Sequence, residues 1–213
     1  MTAGNVHLVE EARACVVANE ELADVWNAVE RLLVASFPQE ELGSLSDLFA
    51  SLFKPDRTLW VNSTTDVRVV AVMCDLNTPS RDALLEFLAV DPHQRSSGIG
   101  SCFLRSLMDQ SPMSIVLEVE DPDVFRTPEA TRRVAFYERL GGILLPCGTG
   151  YAMPNLATGR GRLPMRLIEM NQDRAVELRG AELRRLVVAI WTRAYSRLEG
   201  DIELTSMLAD LAC

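Results

Sequence analysis

The segment LLEFLAVDPHQRSSGIGS, residues 84–101, constrains the fold more than any other part of the chain. An apolar run ends at Val90, a polar loop with two glycines follows, and Phe103, Leu104 and Leu107 then recur at helical spacing. An apolar run, a glycine-containing turn and a 3.6-residue period predict a strand, a tight loop and a helix in succession. The chain is therefore expected to contain a strand-loop-helix unit whose helix begins near Gly98.

The predicted loop has the chemistry of a phosphate-binding site. Consecutive backbone N–H groups and the positive end of the helix dipole attract an anion, and glycine lets the backbone approach it closely. Arg95 can add a charge-assisted contact. The loop is not a Walker nucleotide-binding loop, because no Gly-Lys-Ser/Thr follows. It is not the G-x-G-x-x-G fingerprint of dinucleotide-binding proteins either, because Phe103 stands at the position of the third glycine. The alternative is a strand-to-helix turn that uses glycine only for its shape.

Hydrophobic patterns predict further elements on both sides of this unit. Helices are predicted over Glu20–Ser36, after Gly43, and over Gly98–Asp109, Pro128–Leu140 and Ala181–Leu198. Strands are predicted over Ala12–Ala18, Thr58–Asn62, Val67–Asp75, Ala83–Val90, Ser114–Glu120, Gly142–Leu145, Tyr151–Met153 and Leu163–Met170. Three consecutive strands before one helix indicate an α/β (α+β) fold with a mixed, partly antiparallel sheet.

Two motifs resemble those of the GNAT N-acetyltransferase superfamily. QRSSGIG, residues 94–100, is similar to its Q/R-x-x-G-x-G/A pyrophosphate loop, and LAVDP before it looks like the end of its fourth strand. FYERLGG, residues 136–142, resembles its F/L-Y-E-K/R-L-G-F motif, although Gly142 replaces the usual Phe and Ala130 replaces a frequent Asn. The resemblance implies a mostly antiparallel sheet whose fourth and fifth strands splay apart, with flanking helices and a C-terminal helix.

The resemblance also implies acetyl-CoA as the co-substrate. Its pantetheine arm is expected to bond the backbone of Leu88, Ala89 and Val90 like an added strand, with the Val90 N–H directed at the thioester oxygen. The pyrophosphate is expected to bind Arg95, Ser96, Ser97, Gly98, Ile99, Gly100 and Ser101. Tyr137 matches the position of the family's usual general acid, although a tyrosine packed under the helix is the alternative.

A base must take a proton from the acceptor amine, whose ordinary pKa of about 10.4 keeps it protonated at neutral pH. Glu86 is the first candidate, because a carboxylate between Leu85 and Phe87 is rarely idle. Glu118 and Glu120 share one face of the next strand and come second. A salt bridge with an arginine remains an alternative for each carboxylate, and water can carry the proton instead.

Composition limits the remaining possibilities. The net charge of −9 disfavours nucleic acid and anionic membranes as partners. Five scattered cysteines and two histidines indicate neither a disulfide framework nor a metal site. The opening residues lack a signal-peptide pattern and the apolar runs are too short for a membrane span, so we expect a cytoplasmic protein.

Residues 1–154 are predicted to form the acyl-CoA-binding catalytic domain. Residues 155–213 are predicted to form an extension, a last strand and a long helix, packed on the same domain, and the apolar surface of that helix suggests a homodimer. The expected function is acetyl transfer to a primary amine of a small molecule. The alternatives are transfer to a protein N-terminus or lysine, and a catalytically silent acyl-CoA-binding regulatory module.

Overall fold

A computed structural model describes residues 7–8, 20–63, 66–145, 150–171, 175 and 178–211. The helices are α1 (Glu20–Ser36), α2 (Gln39–Leu42), α3 (Leu45–Ser51), α4 (Ile99–Gln110), α5 (Pro122–Phe125), α6 (Pro128–Glu138), α7 (Gly180–Ala189) and α8 (Ile202–Asp210). The strands are β1 (His7–Leu8), β2 (Arg57–Val61), β3 (Val69–Asp75), β4 (Asp82–Val90), β5 (Ser114–Glu120), β6 (Ile143–Leu144), β7 (Ala152–Pro154) and β8 (Arg162–Glu169). None of the helices described is long and apolar enough to cross a membrane.

The strands are hydrogen-bonded in the order β1-β2-β3-β4-β5-β8-β6, with β7 beside β8. β4 and β5 run parallel, whereas β8 is antiparallel to β5, β6 and β7. The predicted class, a mixed and mostly antiparallel sheet with flanking helices, is therefore confirmed. The β4–β5 register runs from Asp82–Ser114 to Leu85–Leu117. The divergence of the two strands beyond those pairs stays a prediction.

The chain divides into two compact units, and the first consists of the chain up to Met73, Glu86–Pro112 and Leu156–Thr158. Its core forms where the apolar face of α1, including Val29 and Leu33, packs with residues of β2, β3 and the end of β4. Phe87 and Ala89 of β4 belong to this core, while their neighbours on the strand are half-buried. Burial therefore alternates along this part of β4, as the two-residue period of a strand dictates.

The second unit consists of Cys74–Leu85, Met113–Asn155 and Gly159–Cys213. β5 lies at its centre, paired with the first half of β4 on one side and with β8 on the other. Its residues alternate between buried and half-buried from Leu117 onward, which leaves Glu118 and Glu120 half-buried on one face. β8 belongs to the segment assigned to the C-terminal extension, yet it pairs with β5 along Val116–Glu120.

The C-terminal helix prediction was wrong in its extent. α7 ends at Ala189, a π-helical turn covers Ile190–Ala194, and Ser196 has a left-handed backbone with φ of 54° that ends the helix. A second helix, α8, follows instead, because the Asp201 carboxylate accepts hydrogen bonds from the backbone of Glu203 and Leu204 and caps it. The strand predicted over Ala12–Ala18 lies outside the described residues.

The homodimer expectation rested on apolar side chains that the chain itself buries. Leu183, Leu186 and Val187 of α7 are at most 1% exposed, and Ile190 and Trp191 are completely buried. Their apolar surface is therefore already covered within a single chain, and a dimer is not needed to explain it.

The sequence RLGG ends α6 in a Schellman motif. The N–H of Gly142 donates to the Tyr137 carbonyl and the N–H of Gly141 to the Glu138 carbonyl, while Gly141 has a φ of 95°. A Cβ built on Gly142 would lie 2.8 Å from Cγ2 of Ile168 and 2.9 Å from Sδ of Met170. The close approach of the α6 terminus to β8 explains why glycine stands where the family usually has Phe.

Gly142→Ala is expected to lower the free energy of unfolding by about 1–3 kcal/mol, because the added methyl overpacks this contact. Urea unfolding of the variant and of Gly200→Ala measures the effect, since a Cβ at Gly200 meets nothing within 4 Å. Equal stabilities for the two variants would contradict the packing explanation.

Candidate active site

The loop between β4 and α4 presents backbone N–H groups in the first unit. Asp91 caps a short 3-10 turn over Pro92–Gln94, Ser96 has a φ of 65°, and Gly98 has a φ of 87° at the N-cap of α4. The first-turn N–H groups of an α-helix have no acceptor within the helix. A Cβ on Gly98 would meet nothing within 4 Å, so the N-cap of α4 is open on the side of that Cβ. This arrangement suits a phosphate group.

Side chains of the loop brace its shape. The Ser97 hydroxyl donates to the Gln94 carbonyl at 2.6 Å and accepts from the N–H of Ile99 at 3.4 Å. Arg95, predicted as a phosphate contact, donates from Nε to the Val90 carbonyl and from Nη2 to the Ser36 hydroxyl, each at 3.3 Å. The exposed Arg95 guanidinium therefore ties the end of β4 to the end of α1.

Glu86, the first candidate for the base, forms a buried ion pair. Nε of Arg57 lies 2.9 Å from its Oε2, and Nη1 of Arg57 lies 3.3 Å from Oδ1 of Asp56. The Arg57 side chain is 1% exposed and that of Glu86 is 10% exposed. These contacts favour the structural salt bridge that the sequence left open for Glu86.

Glu118 has different partners, among them two tyrosines of the second unit. The hydroxyl of Tyr151 donates to its Oε1 and the hydroxyl of Tyr195 to its Oε2. Glu120, on the same face of β5, has its Oε2 3.5 Å from Nη1 of Arg133 on α6. Glu118 is thus a half-buried carboxylate held by phenol donors, while Glu120 is paired with a cation.

Tyr137 lies on α6 of the second unit, almost three turns after the Thr127 hydroxyl that caps the helix. Its side chain is buried, and its ring packs edge-on against Phe136 with centroids 5.0 Å apart. Burial raises its pKa to about 12, although the Arg133 guanidinium acts in the opposite direction. The hydroxyl therefore remains a proton donor throughout the neutral range. No group of three or more potential metal ligands occurs among the residues that the structure describes.

Comparison with solved structures shows which known proteins share this fold. A protein of Bacteroides thetaiotaomicron assigned to the GNAT acetyltransferase family superposes with a TM-score of 0.67 at 25% identity, over 83% of this chain and 94% of that one. The chain has the GNAT fold. A chimeric spermidine N-acetyltransferase from Vibrio cholerae superposes with a TM-score of 0.51 at 14% identity, over 81% of this chain and 97% of that one. No protein-family model and no curated protein matches the sequence.

Within this GNAT fold, the structure brings some predicted residues together and separates others. The loop residues Arg95–Ser101 and the β4 residues Leu88–Val90 lie in the first unit, whereas Glu118 and Tyr137 lie in the second. Sequence reasoning missed the contacts of Tyr151 and Tyr195 with Glu118. The partners are 33 and 77 residues away from Glu118, so no local pattern connects them.

Because Tyr137 is buried, the free energy of unfolding of this GNAT-fold chain is expected to fall at alkaline pH. The folded pKa of Tyr137 of about 12 exceeds the ordinary 10.0, so its stabilisation is complete below pH 10 and is lost between about pH 10 and 12. In that window the free energy of unfolding is expected to fall by about 1.4 kcal/mol per pH unit through Tyr137. Urea unfolding between pH 9 and 12 tests this, because Tyr137→Phe should lose stability less steeply than wild type. Parallel curves would contradict it.

Proposed function

We propose that the chain transfers the acetyl group of acetyl-CoA to a primary amine by direct attack on the thioester. The GNAT fold supports this function, and the observation that carries it is the open cluster of N–H groups at the start of α4 after Gly98. The pyrophosphate of CoA is the anion that such a cluster suits. A helix terminus acts over short distances, so it can bind this anion although the chain carries a net charge of −9.

The groups that would hold CoA lie in the first unit. We assign the pyrophosphate to the backbone N–H groups of the Ser96–Ser101 segment, chiefly those of Gly98, Gly100 and Ser101. The N–H groups of Ser97 and Ile99 already donate to the Gln94 carbonyl and the Ser97 hydroxyl. To reach a phosphate, the Arg95 guanidinium would have to give up its hydrogen bond to the Ser36 hydroxyl. The backbone of Leu88–Val90 is assigned to the pantetheine arm, and the Val90 N–H to the thioester oxygen, where negative charge develops.

Glu118 is our choice for the base, in preference to Glu86. It is half-buried and bonded to neutral phenols, whereas Glu86 is bound to the guanidinium of Arg57. A carboxylate that already neutralises a buried cation is poorly suited to accept a further proton, because protonation would leave that cation unpaired.

The proposed reaction balances without another reactant. Glu118 takes a proton from the acceptor ammonium, directly or through water, and the freed nitrogen lone pair attacks the thioester carbon. The C–N bond forms, the tetrahedral intermediate collapses, and the C–S bond breaks. Tyr137 gives its proton to the departing thiolate. The acylated nitrogen loses its second proton to the Tyr137 phenolate, directly or through water, and Glu118 returns its proton to the solvent. The products are an acetamide, free CoA thiol and one proton.

The carboxylates of Glu118 and Glu120 on one face of β5 favour a cationic amine as acceptor. We propose an amine of a small molecule, with a protein N-terminus or lysine as the second candidate. Release of free thiol from acetyl-CoA across a panel of small amines and peptides tests the function. Turnover with amines supports it and turnover with peptides alone selects the second candidate. Tight acetyl-CoA binding without turnover of either would replace it with a silent binding module.

Gly98→Ala is expected to weaken acetyl-CoA binding about tenfold, which equals about 1.4 kcal/mol. The added methyl enters the space before the N–H groups and strains the left-handed backbone. Gly159→Ala is the matched control, because Gly159 also has a positive φ of 67° and open space around its Cβ. Calorimetric titration of both variants measures the difference, and an unchanged Kd for Gly98→Ala would reject the loop as the binding site.

A further inference from the structure

The carboxylate of Glu118 is held from both sides by phenol hydroxyls. Tyr151 donates to Oε1 and Tyr195 donates to Oε2. The last torsion of a glutamate side chain is broad, so an unconstrained carboxylate samples many orientations. A separate donor on each oxygen removes that freedom and fixes the plane of the carboxylate.

The backbone holds both donors firmly. Tyr151 precedes β7, is 2% exposed, and accepts a hydrogen bond through its carbonyl from the N–H of Met165 at the β8 strand. Tyr195 follows the π-helical turn, where its N–H donates to the Ile190 carbonyl at 3.3 Å. Ile190 and Trp191 in the same turn are completely buried and anchor it. Single π-helical turns of this kind frequently occur at functional sites.

The chemistry of the donors suits a proton acceptor. Burial, together with the charge of Glu118, raises the pKa of Tyr151 well above its ordinary value, so its hydroxyl stays protonated and keeps donating. Hydrogen bonds from O–H groups to a carboxylate are charge-assisted and stabilise its ionised form, which is the form that can accept a proton.

We propose that Tyr195 and Tyr151 are positioning residues that orient the Glu118 carboxylate for proton transfer. This inference rests on the proposed acetyltransferase function. It gives the C-terminal segment a part in the reaction, because Tyr195 follows α7.

A double-mutant cycle on the full chain tests the proposal. Tyr195→Phe and Tyr151→Phe, which remove one hydroxyl each, are expected to lower kcat about tenfold. The KM for acetyl-CoA is expected to stay within about twofold, because both hydroxyls bind the Glu118 carboxylate, which is proposed to act on the acceptor amine. In a Glu118→Gln background, either substitution is expected to cause no further fall in kcat.

Thr192→Val is the matched control. It removes a hydroxyl from the same π-helical turn, where Thr192 donates to the Val188 carbonyl at 2.8 Å, and it should retain the kcat of wild type. Unfolding midpoints show whether each variant is folded. If Tyr195→Phe is unstable, the double-mutant cycle of Tyr151→Phe with Glu118→Gln tests the proposal independently. Equal falls in kcat with and without Glu118 would overturn the positioning role. An active wild type with unchanged Tyr195→Phe kinetics would overturn this inference alone, whereas a wild type without acetyl transfer would overturn the proposed function itself.

Discussion

Glu118→Gln is expected to lower kcat about a hundred- to ten-thousand-fold, the range that one general base contributes. The amide keeps the size of the side chain and can still accept hydrogen bonds from Tyr151 and Tyr195, but it cannot take a proton from the acceptor ammonium. Binding of acetyl-CoA is expected to remain unchanged, because Glu118 is proposed to act on the acceptor amine and the loop before α4 is proposed to hold the CoA pyrophosphate. Steady-state kinetics with the best amine, together with calorimetric titration of acetyl-CoA, measures both quantities.

Glu120→Gln is the matched control for this prediction. Glu120 lies on the same face of β5, two residues further along, and its carboxylate is paired with Arg133. We expect its kcat to stay near that of wild type. A large loss in Glu120→Gln with little change in Glu118→Gln would transfer the role of the base to Glu120, and equal small changes would favour water as the proton carrier.

The strand-loop-helix unit around Gly98 and the end of α6 could be predicted because both are local structures. Glycine spacing specifies a left-handed N-cap at Gly98, and the sequence RLGG specifies a Schellman ending with Gly141 in the left-handed region. The alternation of Glu86, Leu88 and Val90 on β4 follows from the two-residue period of a strand. These features need only a few consecutive residues, and the two motifs led to the GNAT fold.

The environment of the carboxylates could not be predicted, because it depends on contacts between distant residues. Arg57 meets Glu86 across 29 positions of sequence, and Tyr195 meets Glu118 across 77. Sequence reasoning ranked Glu86 first because it lies between Leu85 and Phe87. That neighbourhood cannot distinguish a carboxylate bound to a guanidinium from one bound to hydroxyls. The π-helical turn after Ala189 likewise follows from packing, since Ile190 and Trp191 fit the helical period as well as a regular helix would.

Glu86→Gln is expected to lower the free energy of unfolding by about 3–5 kcal/mol, the usual cost of removing one partner from a buried ion pair. Arg57 would keep its contact with Asp56, at 3.3 Å, while its side chain stays 1% exposed. For a chain of this size each kcal/mol corresponds to about 2–4 °C in Tm. Urea and thermal unfolding check the size of the effect.

Glu120→Gln again supplies the comparison, since its ion pair with Arg133 is more exposed, at 23% and 32% for the two side chains. Its loss is expected to cost less than about 1 kcal/mol. Measuring the kcat of Glu86→Gln at temperatures where this variant is still folded then decides between a structural and a catalytic role for Glu86. If kcat persists there, Glu86 holds the end of β4 in place through Arg57. If kcat falls a hundredfold while stability is unchanged, Glu86 and not Glu118 is the base.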